Sequence, residues 1–184
     1  YHKATPDRGE QHVMLDFDED PIYVQKWKNL GKKIVGYISV GSWEDFRSDI
    51  TPGWNGSPGF PSSAIGDLMD GWAAERWIKI DNWHDLKPIM SWRMKRLKSL
   101  GFDYVEFDNI GMLDPVHNHK KGKQVLDYAI WLAAEARRNG LKPIFKNGSW
   151  SDDAEPGYEN LAKLAAPYYD AIIIEEAFGN NEIN

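Results

Sequence analysis

Gly101-Phe102-Asp103-Tyr104-Val105-Glu106-Phe107-Asp108-Asn109 decides how this chain folds. Gly101 stands where a helical pattern over about residues 84–99 would be stopped by a left-handed C-terminal residue. The run 102–107 then reads as a short buried strand. Asp108 and Asn109 place polar chemistry directly at its end.

The same punctuation recurs on both sides of this stretch. Apolar runs at 12–17, 33–39, 77–80, 142–146 and 171–175 also read as short buried strands, which makes six in all. Helical patterns lie at about 20–30, 122–139 and 156–166, the first ending in Gly31 and the second in Gly140. Successive strand-helix units imply parallel strands joined by crossover helices. The closures available are a doubly wound sheet or a (β/α) barrel.

Composition narrows the class. The chain has 184 residues, 42% hydrophobic and 27% charged, which fits one compact domain over 1–184. No apolar run approaches the roughly 18 residues of a membrane helix, so no membrane span is expected. Cys is absent, which excludes disulfides and a zinc-thiolate site. No signal-peptide pattern is visible at the start, which opens on Tyr1 rather than Met. A net charge of −6 argues against nucleic acid as a partner and suits a cationic or neutral ligand.

One connection is out of proportion. Residues 41–75 carry Pro52, Pro58 and Pro61 among six glycines and read as a long irregular loop at the catalytic face. The nine Trp of the chain are dense for a domain of average apolar content, and flat amphipathic rings suit sugar faces as well as cores. Trp43, Trp54 and Trp72 lie in the loop, where at least one is expected to line a ligand cleft. Trp27, Trp92 and Trp131 lie in helical patterns and are expected to pack the core.

Polar residues gather where strands end, which is where β/α folds build their sites. Asp16 and Asp18 follow the first strand, Ser39 and Ser42 the second, Asp81 the third, Asp108 and Asn109 the fourth, Lys146 and Asn147 the fifth, Glu175 and Glu176 the sixth. Asp108 and Glu175 make the most readily assembled chemistry, a carboxylate pair flanking a glycosidic bond. The alternative for these acids is a salt bridge with Lys146 or Arg47. A buried Lys146 beside them would hold one acid ionised while the other stays protonated. His117-Asn118-His119 lies in a polar stretch and reads as a solvated turn, so no metal site is expected. No Walker loop, GxSxG elbow or Rossmann glycine fingerprint occurs.

The series Leu15-Asp16-Phe17-Asp18, the block Tyr37-Ile38-Ser39-Val40-Gly41-Ser42-Trp43-Glu44-Asp45-Phe46-Arg47, Glu75-Arg76-Trp77, Glu106-Phe107-Asp108-Asn109, Lys146-Asn147 and Glu175-Glu176-Ala177-Phe178 resembles glycoside hydrolase family 114. That is the endo-α-1,4-polygalactosaminidase family, with a TIM-type barrel. The likeness runs in order from about residue 13 to 178. It implies an endo-acting hydrolase of an α-1,4-linked galactosamine polymer, with Asp108 as nucleophile, Glu175 as acid/base, and retention favoured over inversion. Asp16, Asp18, Tyr37, Ser39, Trp43, Glu44, Arg47, Glu75, Arg76, Asn109, Lys146 and Asn147 would bind substrate or orient the pair. No cofactor is implied, and a polymeric substrate implies an extracellular or cell-surface location.

The chain departs from the family pattern at Gly111 and Lys79, each where an Asp is usual, and at Gly36 and Ala177, each where a Cys is expected. It is also short, since a barrel takes about 250 residues. The expected fold is therefore a TIM-type barrel incomplete at both ends, whose open edges would favour self-association. Two other functions fit the same scaffold: a binding-only carbohydrate module, and a related barrel hydrolase of another glycan.

Overall fold

The computed structural model describes residues 7, 9–110, 120–147 and 155–175. Five parallel strands form the main sheet: β1 (His12–Asp16), β2 (Lys33–Ser39), β6 (Tyr104–Asp108), β7 (Lys142–Lys146) and β8 (Ala171–Ile173). They lie side by side in chain order, each hydrogen-bonded to the next in parallel register. A doubly wound sheet would reverse direction at a switch point, whereas this progression belongs to a TIM-type (β/α) barrel. Among the described residues β1 and β8 are its two edges.

Helices α1 (Pro21–Asn29), α2 (Lys87–Leu100) and α3 (Gly122–Arg138) link these strands. The Asp20 side chain caps α1 by accepting from Ile22 N at 2.9 Å, and Pro21 sits in the first turn, where its missing N–H costs nothing. Gly101 ends α2 with φ 94°, as the glycine punctuation anticipates. On α3 the buried residues Val125, Tyr128, Ala129, Leu132, Ala133 and Ala136 fall at helical spacing on one face.

The two faces of the sheet differ in kind. Leu15, Phe17, Ile34, Ile38, Val40, Val105, Phe107 and Phe145 form one core with Leu97, Phe102, Tyr128 and Leu132. The alternate positions carry Asp16, Tyr37 and Glu106 in one register layer, then Ser39 and Asp108 in the next. Lys146 belongs to that upper layer, two residues beyond Ile144, the partner of Glu106. The inner face is therefore polar toward the ends of the strands, where the site is built.

Gly36 sits on the helix side of β2, and a Cβ there would meet Leu97 Cδ2 at 2.4 Å. The cysteine expected at this position has no room while Leu97 fills the space. Trp27 is buried, and Trp92 and Trp131 pack against the core, as their helical spacing implies.

Two expectations are corrected. The run 77–80 is not a barrel strand: β5 (Trp72–Ile78) is the centre of a separate antiparallel sheet with β3 (Ser42–Glu44) and β4 (Ile65–Met69). The segment 41–75 is correspondingly built, with an Asp70-Gly71 turn (Gly71 φ 81°) joining β4 to β5. The last helical pattern shrinks to α4 (Leu161–Ala165), because Pro156-Gly157 form a turn and Asn160 caps the helix late, accepting from Lys163 N at 2.8 Å. Gly111, His117, His119, Glu176 and Ala177 lie outside the described residues.

Candidate active site

Lys146, at the end of β7, is the hub of the site. Its ammonium nitrogen is 2.8 Å from Glu175 Oε1, 3.2 Å from Asp108 Oδ2 and 3.4 Å from Glu106 Oε1. The lysine is buried, Asp108 is half-buried, and Glu175 is exposed just beyond β8. The salt bridges anticipated as an alternative thus coexist with the carboxylate pair and join it, since a single cation holds both acids.

Each acid has further partners. Asp108 Oδ2 accepts from the Tyr37 hydroxyl at 3.0 Å, and its Oδ1 accepts from the Asn109 backbone N–H at 2.8 Å. Asn147 donates from Nδ2 to Glu175 Oε2 at 3.2 Å and accepts from the Glu175 N–H at 2.9 Å. Partial burial pushes the Glu175 carboxyl up, but the hydrogen bonds from Lys146 and Asn147 outweigh it and hold it below the ordinary range. Asn109 and Asn147 both adopt left-handed backbone, φ 62° and 57°. Non-glycine residues seldom do so, and Asn tolerates it best among them. The two turns come directly after Asp108 and Lys146, at the ends of β6 and β7.

A second network runs outward from Asn109. Its Nδ2 donates to Ser39 Oγ at 3.0 Å, Ser39 and Ser42 share a hydrogen bond of 2.6 Å, and Ser42 donates to Glu75 Oε2 at 2.7 Å. Because Ser42 spends its proton on Glu75, Ser39 is the donor between the two serines and every bond in the chain points toward Glu75. The small antiparallel sheet, which supplies Ser42 and Glu75, is thereby tied to the strand-end turn that follows Asp108.

Arg47 organises a third group. It donates from Nε and Nη2 to the two oxygens of Glu44 at 2.9 and 3.1 Å, and from Nη1 to Asp16 at 2.5 Å and Asp18 at 3.2 Å. Burial pushes Asp18 up to about 6, helped by hydrogen bonding with Asp16 and repulsion from it. Burial pushes Asp16 up too, but Arg47 outweighs it and holds this carboxyl below the usual range. Burial also raises Glu44, against the opposing pull of Arg47.

Trp43 and Arg76 are cross-strand partners, one residue out of step with Ser42, Glu44 and Glu75, and so belong to the opposite face of the small sheet. Arg76 donates there to Gly66 O at 3.4 Å. Trp54 packs edge-on against Trp92 of α2, and Trp72 is 63% exposed at the β4–β5 hairpin. Asp81 pairs with Lys121 and with Gln124 at 3.0 Å near the start of α3. Lys79 is exposed beyond the end of β5.

Two buried groups escape a motif reading. Glu106 lies two residues before Asp108 on the same face, a spacing that alternation alone could have revealed. Arg93 on α2 makes a buried bidentate pair with Asp49 at 2.7 and 3.2 Å and donates to Ser39 O at 3.1 Å, fixing the end of β2. No sequence spacing links residues so far apart. Among the described residues no cluster of His, Asp and Glu has the arrangement of a metal site, and no helix is long and apolar enough to cross a membrane.

Compared with known families, the sequence matches glycoside-hydrolase family GH114 over residues 1–184. The chain belongs to that family. Among solved structures, it is similar to Aspergillus fumigatus Ega3, crystallised with galactosamine, at 20% identity and a TM-score of 0.79, covering 97% of this chain and 65% of that one. It is also similar to the glycoside hydrolase domain of PelA from Pseudomonas aeruginosa, at 16% identity and a TM-score of 0.61, covering 91% of this chain and 60% of that one. The chain thus spans about two thirds or less of the length of these structures. No curated relative matches it.

Proposed function

We propose that this GH114 chain is an endo-acting hydrolase of galactosamine-containing polysaccharide, with Asp108 as nucleophile and Glu175 as acid/base. One observation carries the reading: Lys146 contacts both carboxylates, at 3.2 and 2.8 Å. Laid end to end, those contacts keep the two nearest oxygens within about 6 Å, which is compatible with the close spacing of a retaining pair. Asp108 attacks the anomeric carbon while Glu175 delivers its proton to the departing glycosidic oxygen. Glu175 then takes a proton from water, and the resulting hydroxide displaces Asp108 from the sugar. Tyr37 and Lys146, both on Asp108 Oδ2, stabilise the carboxylate as it leaves.

The substrate class rests on family membership and on the galactosamine of the Ega3 complex. The net charge of −6 supports an amine-bearing polymer. A polymeric substrate of this kind places the reaction outside the cell or at its surface. Asp16 and Asp18 form the substrate-facing polar rim on the β1 side, held from beneath by the buried Arg47 and Glu44, and Ser39, Asn109 and Glu75 orient the turn after Asp108.

Purified chain incubated with acetylated and de-N-acetylated galactosamine polymers is expected to release hexosamine oligomers, read by mass spectrometry. Release should vanish in Asp108→Asn and Glu175→Gln while polymer binding persists. Binding without release by the folded wild-type chain would instead assign a carbohydrate-binding module. Release from a different glycan only would assign a related hydrolase.

A further inference from the structure

Glu106 is fully buried beneath the site. Among the described residues neither of its carboxyl oxygens takes part in a hydrogen bond. Lys146 stands 3.4 Å from Oε1 without hydrogen-bond alignment. A carboxyl group in that condition is costly in either protonation state, so its retention in the layer under Asp108 calls for a role. The groups around it are Lys146 on β7, Asp108 one layer above it, Glu175 beyond β8, and Tyr37 and Asp16 in its own register layer.

The proposed chemistry poses a problem that Glu106 answers. An acid/base must carry a proton when the substrate binds, yet Lys146 and Asn147 hold the Glu175 carboxyl in its ionised form. Lys146 leans toward Glu175 and has two other carboxyl groups within 3.4 Å. We propose that Glu106 is a positioning residue that draws the Lys146 ammonium away from Glu175, so that the proton Glu106 gives up is matched by the one Glu175 takes on. The inference rests on the acid/base role of Glu175 proposed above.

The exchange conserves charge and protons. With Lys146 on Glu175, Glu106 is neutral and Glu175 is an anion. With Lys146 on Glu106, the ammonium has given one proton to Glu175 Oε1 and the amine so formed has taken the proton of the Glu106 O–H. Lys146 is a cation before and after. Burial, joined by repulsion from Asp108 and opposed by Lys146, pushes Glu106 up to about 7, which agrees with a neutral resting form.

The test is a carboxyl NMR titration with isotope-labelled glutamate, in the wild-type chain and in Glu106→Gln. In the wild type, Glu106 should titrate near neutrality rather than near the ordinary value of about 4.3, and the Glu175 signal should show a second step over the same range. In Glu106→Gln that step should disappear while the Glu175 midpoint stays in place, since a neutral Gln stands in for the neutral Glu106 present where Glu175 titrates. Glu106→Asp should restore the second step. A single-step Glu175 curve in the wild type overturns the proposal even if the Gln variant does not fold, as does a Glu175 curve unchanged in a folded variant. On the polymer substrate, the alkaline limb of kcat should move to lower pH in Glu106→Gln with KM unchanged, where a purely structural role would leave the limb in place. If the wild type proves not to cleave the polymer, the titration still decides the coupling.

Discussion

Asn147 and Glu175 hold each other in a reciprocal clasp: the Glu175 N–H donates to Asn147 Oδ1 at 2.9 Å, and Asn147 Nδ2 donates to Glu175 Oε2 at 3.2 Å. The clasp fixes the backbone and the carboxylate of an otherwise exposed residue, and it depends on Asn147 keeping φ at 57°.

Two substitutions separate these tasks. Asn147→Gly keeps the backbone relaxed and loses the side chain, so thermal stability should stay near that of the wild type while hydrolysis falls about tenfold or more. Asn147→Ala should lose activity similarly and also cost about 1 kcal/mol of stability, since alanine is strained at this φ. Thermal melts and oligosaccharide release on the same preparations check both; equal melting temperatures for the two variants would refute the strain argument.

Arg47→Lys should behave as a severe change. The guanidinium serves three acids, and the fork to Glu44 is nearly inaccessible to water. A lysine cannot reproduce the fork and leaves buried carboxylate oxygens without donors, which should cost about 3 kcal/mol in denaturant unfolding. Loss of under about 1 kcal/mol would mean that water replaces the missing donors.

Gly41→Ala tests the close approach of the chain just after β2 to the turn after Asp108. A Cβ at Gly41 would lie 1.9 Å from Asn109 O, against backbone that cannot swing aside. The turn must move, and the expected outcome is lower stability by about 1–3 kcal/mol with a larger proportional loss in kcat than in substrate binding. Normal turnover would show that the turn after Asp108 is freer than its hydrogen bonds imply.

The stability of the chain should also carry the signature of Glu106. Its carboxyl is raised to about 7 in the folded protein from 4.5, so between those values the native state binds more protons than the unfolded one. Stability from this group is therefore greatest below the unfolded value and falls as pH rises toward 7. The full loss is on the order of 3 kcal/mol. Glu106→Gln lacks the ionisation, so it should unfold at higher denaturant than the wild type at pH 8 and lose that advantage near pH 4. A variant destabilised equally at both pH values would rule this out.

Much of this was open to a reader of the sequence, for identifiable reasons. Gly31, Gly101 and Gly140 mark helix ends because left-handed backbone is cheap only for glycine, and the runs between them bury both faces. Asp108, Lys146 and Glu175 were legible because each closes an apolar run. Glu106 was legible only through its two-residue spacing to Asp108, since a single acid inside such a run otherwise looks the same whether it faces the helices or the lumen. The run 77–80 reads as a barrel strand because an apolar strand carries no mark of its partner's direction, and the Asp70-Gly71 turn is the signal to weigh. Arg93 and Asp49 meet only through the tertiary fold.

The small antiparallel sheet has a consequence for the order of assembly. Roughly 60 residues separate β2 from its neighbour β6, and the sheet and α2 occupy that interval, so the pairing that sets Ser39 beside Asp108 closes a long loop. Such non-local pairings form slowly unless the intervening chain has already become compact. The β3–β5 unit, made largely of near-neighbour contacts, can shorten that loop in advance, and it delivers Ser42, Glu44 and Glu75 together when it docks. Refolding should therefore regain its hairpins before it regains the proximity of Tyr37 to Asp108, and competence for chemistry would be the last property the nascent chain acquires.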